Sequence, residues 1–520
     1  MNNINLLKNM PKSYWISSTE DTNYPSLNDD VSVDIAIVGG GMVGILTAYE
    51  LEKQGFNIAI IEAEKIVQST TAHTTAKLTS QHNLIYDKLV NQMGRELAQQ
   101  YARANESAIH QIKKIADENN INCDYESQFA YIYTQEDKYK EDIVKEVEAA
   151  RLLGIDAELI SDIPFPIDIK TGMVFRNQAQ FHPRKFLLKL AEILNDRGVS
   201  IYEKTRAIEL NSENDKYIIN TDVGKKVTAE KVIIATHYPF FNKKSMYYAR
   251  LYVERSYILG IKAKEKYPGG MYINAEEPPR SLRYHPTDDG ELILVVGENH
   301  KTGQGENTNE HYEALLNFAK DIFTIKDIPF RWSTQDCFTL DGIPYVGQYA
   351  SDTPNLYVAT GFAKWGMTNS VASSIILRDL VFKGESPWAD VYNPSRKTIV
   401  ASTKNFVVQN ANVASQLIEG KLSNTDNDVE LKPGDAVIVE VDGDKVGCFR
   451  DDEGKLHLVN TTCTHMGCEL KWNSAERSWD CPCHGSRFTY EGKVLHGPAV
   501  KPLNFDRDVN TIEKVIKEDY

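Results

Sequence analysis

The stretch from Cys463 to Phe488, CTHMGCELKWNSAERSWDCPCHGSRF, gathers four of the chain's seven cysteines and two of its twelve histidines. Each end of it is a short loop that mixes the two residue types, Cys463-x-His465 and Cys481-x-x-His484, with residues 466–480 between. Such a segment must fold back so that both loops can ligate one object. Gly467, Gly485 and Pro482 permit the tight turns this needs. The preceding sequence, AVIVEVDGDKVGCFRDDEGKLHLVN, alternates short apolar runs with turn residues. From about residue 430 onward the chain therefore reads as a small all-β unit of short strands and turns.

Two thiolates and two neutral imidazoles, one of each from each loop, form the donor set of a Rieske [2Fe–2S] cluster, with sulfur on one iron and nitrogen on the other. A Cys₂His₂ structural zinc site is the competing reading of the bare spacing. Three details favour the cluster. Cys468 and Cys483 sit one in each loop, beyond the four ligands. The glycines and Pro482 allow turns that aim backbone N–H groups at sulfide. Ser486 can donate its hydroxyl to a bridging sulfide.

The front of the chain carries a second constraint. VDIAIV (33–38) is a β-branched run that ends at GGGMVG, and the following ILTAYELEKQG has helical spacing until Gly55. NIAIIEAEK then reads as a second strand. In this βαβ unit Gly39 makes the tight turn, Gly41 lets the backbone approach a pyrophosphate, and Gly44 permits close helix–strand packing. The helix N-terminus offers N–H groups and positive dipole, and Glu62 closes the second strand where an acid accepts ribose hydroxyls. The reading is a dinucleotide site. There is no second GxGxxG, which disfavours NAD(P)H as direct reductant.

Further along, segments 86–118 and 136–153 read as amphipathic helices. Short strands alternate with turns over 251–300, and NLYVATGF leads through a glycine turn into the helix AKWGMTNSVASSIILRDLV. Residues 384–428 read as a connector, with a boundary at about 420. The organisation expected is an oxidoreductase domain over 13–385, a linker over 386–424 and the cluster domain over 425–520. Within the first, the dinucleotide-binding parts are about 31–90, 165–240 and 335–385, and the substrate parts about 91–164 and 241–334.

VDIAIVGGGMVGILTAYELEKQGFNIAIIEAE at the front, with DGIPYVG and NLYVATGFAKWGMT near residue 341 onward, resembles the D-amino-acid-oxidase-like superfamily of FAD enzymes. SYW, TTAKLTSQH and FHPRKF are similar to its gamma-glutamylputrescine oxidase branch. That resemblance implies a Rossmann-type α/β FAD-binding domain with an antiparallel-sheet substrate subdomain. It also implies oxidation of C–N bonds in amines or amino acids, and places Gly361, Gly366, Met367 and Thr368 beside the flavin. His73 and Thr74 would face the cofactor as well. Related dimethylglycine and sarcosine dehydrogenases carry a flavin-bonded histidine near this point, usually in Trp-His-Ala-Ala-Gly. Here Ala72 precedes His73 and Thr74-Thr75 follow it, so covalent and noncovalent roles both stay open. CTHMGC and CPCHGS resemble the Rieske domain of cytochrome bc-type complexes, which implies a Cys468–Cys483 disulfide bridging the loops. The resemblance expects Tyr where Phe488 stands. One hydrogen bond fewer to a ligand sulfur lowers the cluster's potential. The fused pair as a whole resembles bacterial FAD oxidoreductases with a C-terminal Rieske domain.

The function expected is an FAD-dependent dehydrogenase that takes hydride from an amine or amino acid and passes electrons singly to the cluster and an external acceptor. The rivals are an O₂-using amine oxidase, a reductase fed through the cluster, and a non-catalytic redox carrier or sensor. The sequence has no helical Asp/Glu-x-x-His-x-x-x-x-His for a mononuclear iron, which argues against a Rieske oxygenase. Candidates for the substrate pocket are Tyr252, Arg255, Tyr257, Arg283 and His285, with Trp365 after the Gly361 turn. A net charge of −15 with no basic run disfavours nucleic acid and anionic membranes. No apolar run reaches membrane-spanning length, and no signal-peptide pattern opens the chain, so the cytoplasm is the compartment expected.

Overall fold

The computed structural model describes residues 11–242, 244–305, 307–396, 401–422, 429–441, 443–505 and 516–517. Parts of the readings above, residues 1–10 at the start and 423–428 and 506–515 around the cluster unit, lie outside the described residues.

The βαβ unit forms as its pattern dictates: strand Val31–Val38, helix Met42–Glu52, strand Ile58–Ile61. The second half of the first strand, Ile35–Val38, is buried on both faces, which is why its sequence is continuously apolar instead of alternating. It pairs in parallel with Ile58–Ile61 on one side and Lys226–Ile234 on the other. Leu356–Thr360 extends the sheet in parallel, and Tyr345–Gln348 closes that edge antiparallel. The strand read at the end of the first domain thus joins the same sheet, one strand removed from the first, and because all three run parallel its glycine turn leaves from the same end of the sheet as the Gly39 turn.

A second, nine-stranded sheet carries the long antiparallel strands Leu251–Ala263, Gly290–Lys301 and Ile325–Thr339. Sequence reading gave one helix over 86–118. Gly94, at φ +82°, divides it into Tyr86–Met93 and Arg95–Glu118. The connector contains a 22-residue helix, Ala401–Leu422, whose apolar residues form no clean stripe.

The C-terminal unit has a three-stranded sheet, Ala436–Val441, Asp444–Arg450 and Leu456–Asn460, and a four-stranded one spanning Lys471–Asn473 to Val494–His496. It is seated on the first domain. Gln335 Nε2 donates to Gly485 O at 2.9 Å, Tyr312 OH donates to Glu476 Oε1 at 2.9 Å, and Thr308 Oγ1 donates to Asn473 Oδ1 at 2.8 Å. Glycine is required on both sides of this contact. A Cβ on Gly485 would lie 2.1 Å from Val253 Cγ2, and one on Gly303 would lie 2.7 Å from Pro482 N.

Candidate functional site

A cavity of about 810 Å³ runs between the βαβ turn, the long antiparallel strands and the C-terminal unit. At one end, Gly39 takes φ +113°, where a side chain would meet Ala235 O at 2.5 Å, and a Cβ on Gly44 would lie 1.9 Å from Gly39 O. The turn is therefore closed to any larger residue. Glu62 accepts from Gly40 N–H at 2.8 Å and from Glu64 N–H at 3.0 Å, so its carboxylate ties the turn to the end of the second strand. Burial raises the Glu62 pKa, with those two N–H groups opposing the rise.

The helix Gly366–Lys383 points its N-terminus at the same cavity, and Trp365, Gly366 and Met367 line it. No atom lies within 4 Å of the place a Gly366 Cβ would take, so the approach to the helix end is open. Gly361 stands one turn back at φ +78°, its missing Cβ only 2.4 Å from Thr339 Cγ2. Thr368 instead faces the protein interior, donating its hydroxyl to Thr79 O at 3.0 Å beside His82 Nε2. His73 and Thr74 line the cavity. The ring Nδ1 of His73 bonds Ser69 O at 2.8 Å, and its carbonyl accepts from Trp332 Nε1 at 2.9 Å. A glycine-sealed turn, a buried acid, an open helix N-terminus and a chamber of this size fit a dinucleotide flavin.

Most of the pocket candidates stand off the cavity wall. On Leu251–Ala263, Glu254 and Ser256 line the cavity, and their alternating neighbours do not. Arg255 points to the other face of the strand and is not on the wall, though its partners are: it is 1% exposed, bonded to Ser333 Oγ and 3.6 Å from Glu476 Oε2 of the C-terminal unit, both of which line the cavity. Tyr257 shares that face, its hydroxyl 2.9 Å from His300 Nε2 and its ring stacked on His311. Tyr252 stacks on Phe338 and is likewise outside the cavity wall. Arg283 donates to Thr75 O at 2.8 Å and Ala76 O at 3.0 Å, fixing the loop that carries His73. His285 sits behind it, 3.4 Å from Asp124 and packed on Trp15. Of the pocket candidates, the structure puts Trp365 alone on the wall, stacked on His82.

Residues that sequence reading did not single out make up the rest of the wall. Lys77, 9% exposed, lines the cavity and donates to Ser281 Oγ. Burial and the Arg283 charge hold its pKa down at about 7. Lys364 pairs with Asp336 at 2.9 Å, and Ser256 joins them. His237 and Tyr238 come from the turn after Lys226–Ile234, with His237 at φ +65°. From the C-terminal unit come Glu476, Arg487, and Leu495 through Val500. Burial lowers the pKa of His73, His237 and His496, keeping the three imidazoles neutral near pH 7.

The two Cys/His loops meet as their spacing requires. Gly467 N–H donates to Cys463 O and Gly485 N–H to Cys481 O, closing matching turns, with both glycines at positive φ. The Cys463 and Cys481 thiols are hydrogen-bonded to each other, and the His465 and His484 rings stand 5.0 Å apart. His484 is 3% exposed, burial depresses its pKa to about 4, and its Nδ1 has no hydrogen-bond partner. A neutral imidazole with a buried bare nitrogen beside two thiols fits a metal-ligand role. Cys468 and Cys483 form a disulfide, and the sulfurs of Cys468, Cys481 and Cys483 lie within 4.8 Å of one another. Ser486 Oγ accepts from Ala499 N–H at 3.0 Å and reaches Cys463. Phe488 is fully buried in the unit's core.

Residues 34–380 match the family model described as FAD dependent oxidoreductase, and residues 424–512 match that of the Rieske [2Fe-2S] domain. The chain belongs to the FAD dependent oxidoreductase family. It binds FAD and, in its C-terminal domain, a Rieske [2Fe–2S] cluster. YhfW of Bacillus subtilis (strain 168), named as a Rieske 2Fe-2S iron-sulfur protein, is 44% identical over 97% of this chain and 99% of its own length. Gamma-glutamylputrescine oxidoreductase of Escherichia coli (strain K12) is 21% identical over 73% of this chain and 90% of its own. The crystal structure of glycine oxidase from Geobacillus kaustophilus superposes with a TM-score of 0.60 at 18% identity, covering 70% of this chain and 99% of that one. That likeness gives the fold. Among the described residues no helix is long and apolar enough to cross a membrane.

Proposed function

We propose that this oxidoreductase is a dehydrogenase of amines or amino acids in which electrons leave the FAD cavity through the attached Rieske cluster to an external acceptor. The observation that carries the reading is the shared wall: Glu476, Arg487 and residues 495–500 of the cluster domain line the same cavity as the FAD turn. When bound, FAD supplies a two-electron acceptor and the cluster carries one electron at a time.

The chain's own residues supply binding, orientation and exclusion of water. Among the described residues Lys77 has no carboxylate partner and is held by Ser281, so it is a ready counter-ion for a substrate carboxylate. Lys364 is already neutralised by Asp336, and Arg487 by Asp480 at 2.8 Å. An amino acid, or an amine bearing a carboxylate elsewhere, fits that asymmetry. Neutral imidazoles at His73, His237 and His496 add no charge that would repel an ammonium group. Oxidation of a CH–NH unit to C=N removes one hydride and one proton, and a chamber closed by two domains holds the reacting bond in place without competing water.

The test is an anaerobic half-reaction with the intact holoprotein and a panel of amines and amino acids, including gamma-glutamylputrescine, glycine and N-methylated glycines. Flavin bleaching together with the EPR signal of a reduced cluster is expected for carboxylate-bearing members. A flavin that no member bleaches, in a protein whose cluster is reducible by dithionite, would sink the amine reading and favour electron entry at the cluster.

A further inference from the structure

Two domains joined by a connector ordinarily move against each other. Three features of this seam oppose such motion. The first is the way the two Cys/His loops are turned. Every residue of loop 481–486 is buried. It is pressed on the FAD domain through Gly485 and Pro482, and Gln304 Nε2 of that domain donates to Pro482 O at 3.3 Å. Loop 462–467 is the opposite: Thr462, Thr464 and Met466 are exposed, Met466 at 45%. Only its His465 reaches back, with Nε2 at 3.2 Å from Asn242 Oδ1. One loop is sealed against the FAD domain and the other is open to solvent.

The second feature is a buried charge. Arg255 of the FAD domain is 1% exposed, and the carboxylate nearest to it, Glu476 at 3.6 Å, belongs to the cluster domain. A buried guanidinium needs its counter-charge, and here that charge comes across the seam. Tyr312 holds the same carboxylate at 2.9 Å.

The third is the connector helix Ala401–Leu422, which is bonded to both domains along its length. Asn405 Nδ2 donates to Leu340 O at 2.8 Å and Asn410 Nδ2 to Ala249 O at 3.0 Å, both in the FAD domain. At the middle, Asn412 Oδ1 accepts from Gln304 Nε2 at 2.8 Å, and the Val413 carbonyl lies 3.9 Å from Cys483 Sγ. Further on, Val413 and Leu417 pack on the cluster domain's core, and Lys445 donates to Gly420 O. A Cβ on Gly420 would lie 3.0 Å from Glu469 Cβ. The gap where the helix, residues 248–253 and Pro482–Cys483 meet is only about 20 Å³, room for about one water. Asparagine amides make much of this contact, which is why the helix lacks a clean apolar stripe.

We infer that the cluster works in place. The connector helix is a clasp, and the cluster exchanges electrons with the flavin across the sealed loop and with an external one-electron acceptor across the open one, without the domain swinging between them. Each electron that leaves the reduced flavin turns one ferric iron of the cluster ferrous, and the acceptor then takes it up. The two electrons of one substrate oxidation therefore cross one after the other.

This inference rests on the proposed electron exit through the cluster, and not on the amine substrate. It is tested on the intact holoprotein under anaerobic conditions, with the flavin photoreduced by a light pulse in the presence of EDTA. Flavin absorbance and, in rapidly frozen samples, the EPR signal of the reduced cluster are followed before and after ferricyanide is added. A disulfide installed across the seam by Thr308→Cys with Asn473→Cys, whose native side chains bond at 2.8 Å, is expected to leave both the flavin-to-cluster step and cluster reoxidation unchanged. Doubling the viscosity with glycerol is expected to leave the wild-type flavin-to-cluster rate unchanged, whereas a step gated by domain motion on the μs–ms scale would fall by about half. Val413→Asp, which puts a charge under the helix, is expected to keep its iron and to become viscosity-dependent. The inference is overturned if the cross-link stops either step, if the wild-type rate follows viscosity, or if iron-loaded Val413→Asp transfers as the wild type does. A wild type whose photoreduced flavin never reduces the cluster would instead remove the electron-exit reading itself, and this inference with it.

Discussion

The four residues proposed as cluster ligands all lie between Cys463 and His484, whereas the cavity proposed for FAD is walled by segments from Val38 to Val500. The first site is local: two turns, two glycines and a disulfide fix it almost without outside help. The second exists only when both sheets and the cluster domain are in place. A local site depends on a few irreplaceable atoms. A distributed one depends on fit, and tolerates the loss of any single polar contact better than the loss of space.

That contrast can be broken most sharply at the ligands and at the glycine turn. Cys481→Ser should abolish the cluster, read as iron content and EPR signal falling to background, while the flavin absorbance remains. Gly44→Ala should do the reverse. Its Cβ would lie 1.9 Å from Gly39 O, a clash costing about 1–3 kcal/mol or more, so the flavin is lost while iron is retained. If either variant loses both cofactors, the two sites are not separable in this way.

A disulfide that closes a short loop should matter next. Removing Cys468–Cys483, with 15 residues of separation, by substituting Ala at both positions should destabilise the cluster domain by roughly 3 kcal/mol. A thermal melt followed at the cluster's absorbance should fall first, before the flavin transition. Lys77 gives a smaller and more selective effect. Lys77→Met should raise KM for carboxylate-bearing substrates about tenfold or more, since a hydrogen bond to a charged group contributes ~1.5–3 kcal/mol, and leave simple amines unaffected. Its pKa near 7 gives a sign as well. Below that pH the amine is charged and holds the carboxylate, so kcat/KM for those substrates should decline as pH rises through about 7. A flat profile would remove Lys77 from substrate binding. The mildest change is Tyr257→Phe, which loses one bond to His300 on the far face of its strand. It should lower stability by about 1 kcal/mol and leave KM unchanged, whereas a raised KM would mean that face matters to substrate after all.

Sequence made the local parts legible for physical reasons. Gly39, Gly41, Gly44 and Glu62 fall on one strand–turn–helix–strand unit, and the proposed cluster ligands on one hairpin-like segment, so spacing alone carries their geometry. The strand Leu251–Ala263 is different. It is largely buried on both faces, so no polar alternation marks which set of residues points into the cavity, and Arg255 and Tyr257 were indistinguishable from Glu254 and Ser256. Lys77 had a faint signal, a lysine inside the apolar-to-Thr stretch after His73, but its meaning depends on Ser281 and Arg283 some two hundred residues later. His237, Tyr238 and His496 carry no local pattern at all. They become neighbours only through the docking of the two domains. The helix Ala401–Leu422 carries no clear apolar face, so its sequence reads as connector.

Gly485 meets two demands in one atom-sized space. It makes the turn that presents His484, and it leaves room for Val253 at 2.1 Å from where a side chain would begin. Any larger residue there would act as a wedge, prising the lid off the reaction chamber even if the iron stayed bound. Leaking electrons to dissolved oxygen would then be the symptom of a mechanical fault, and peroxide formation a gauge of how tightly the chamber is shut.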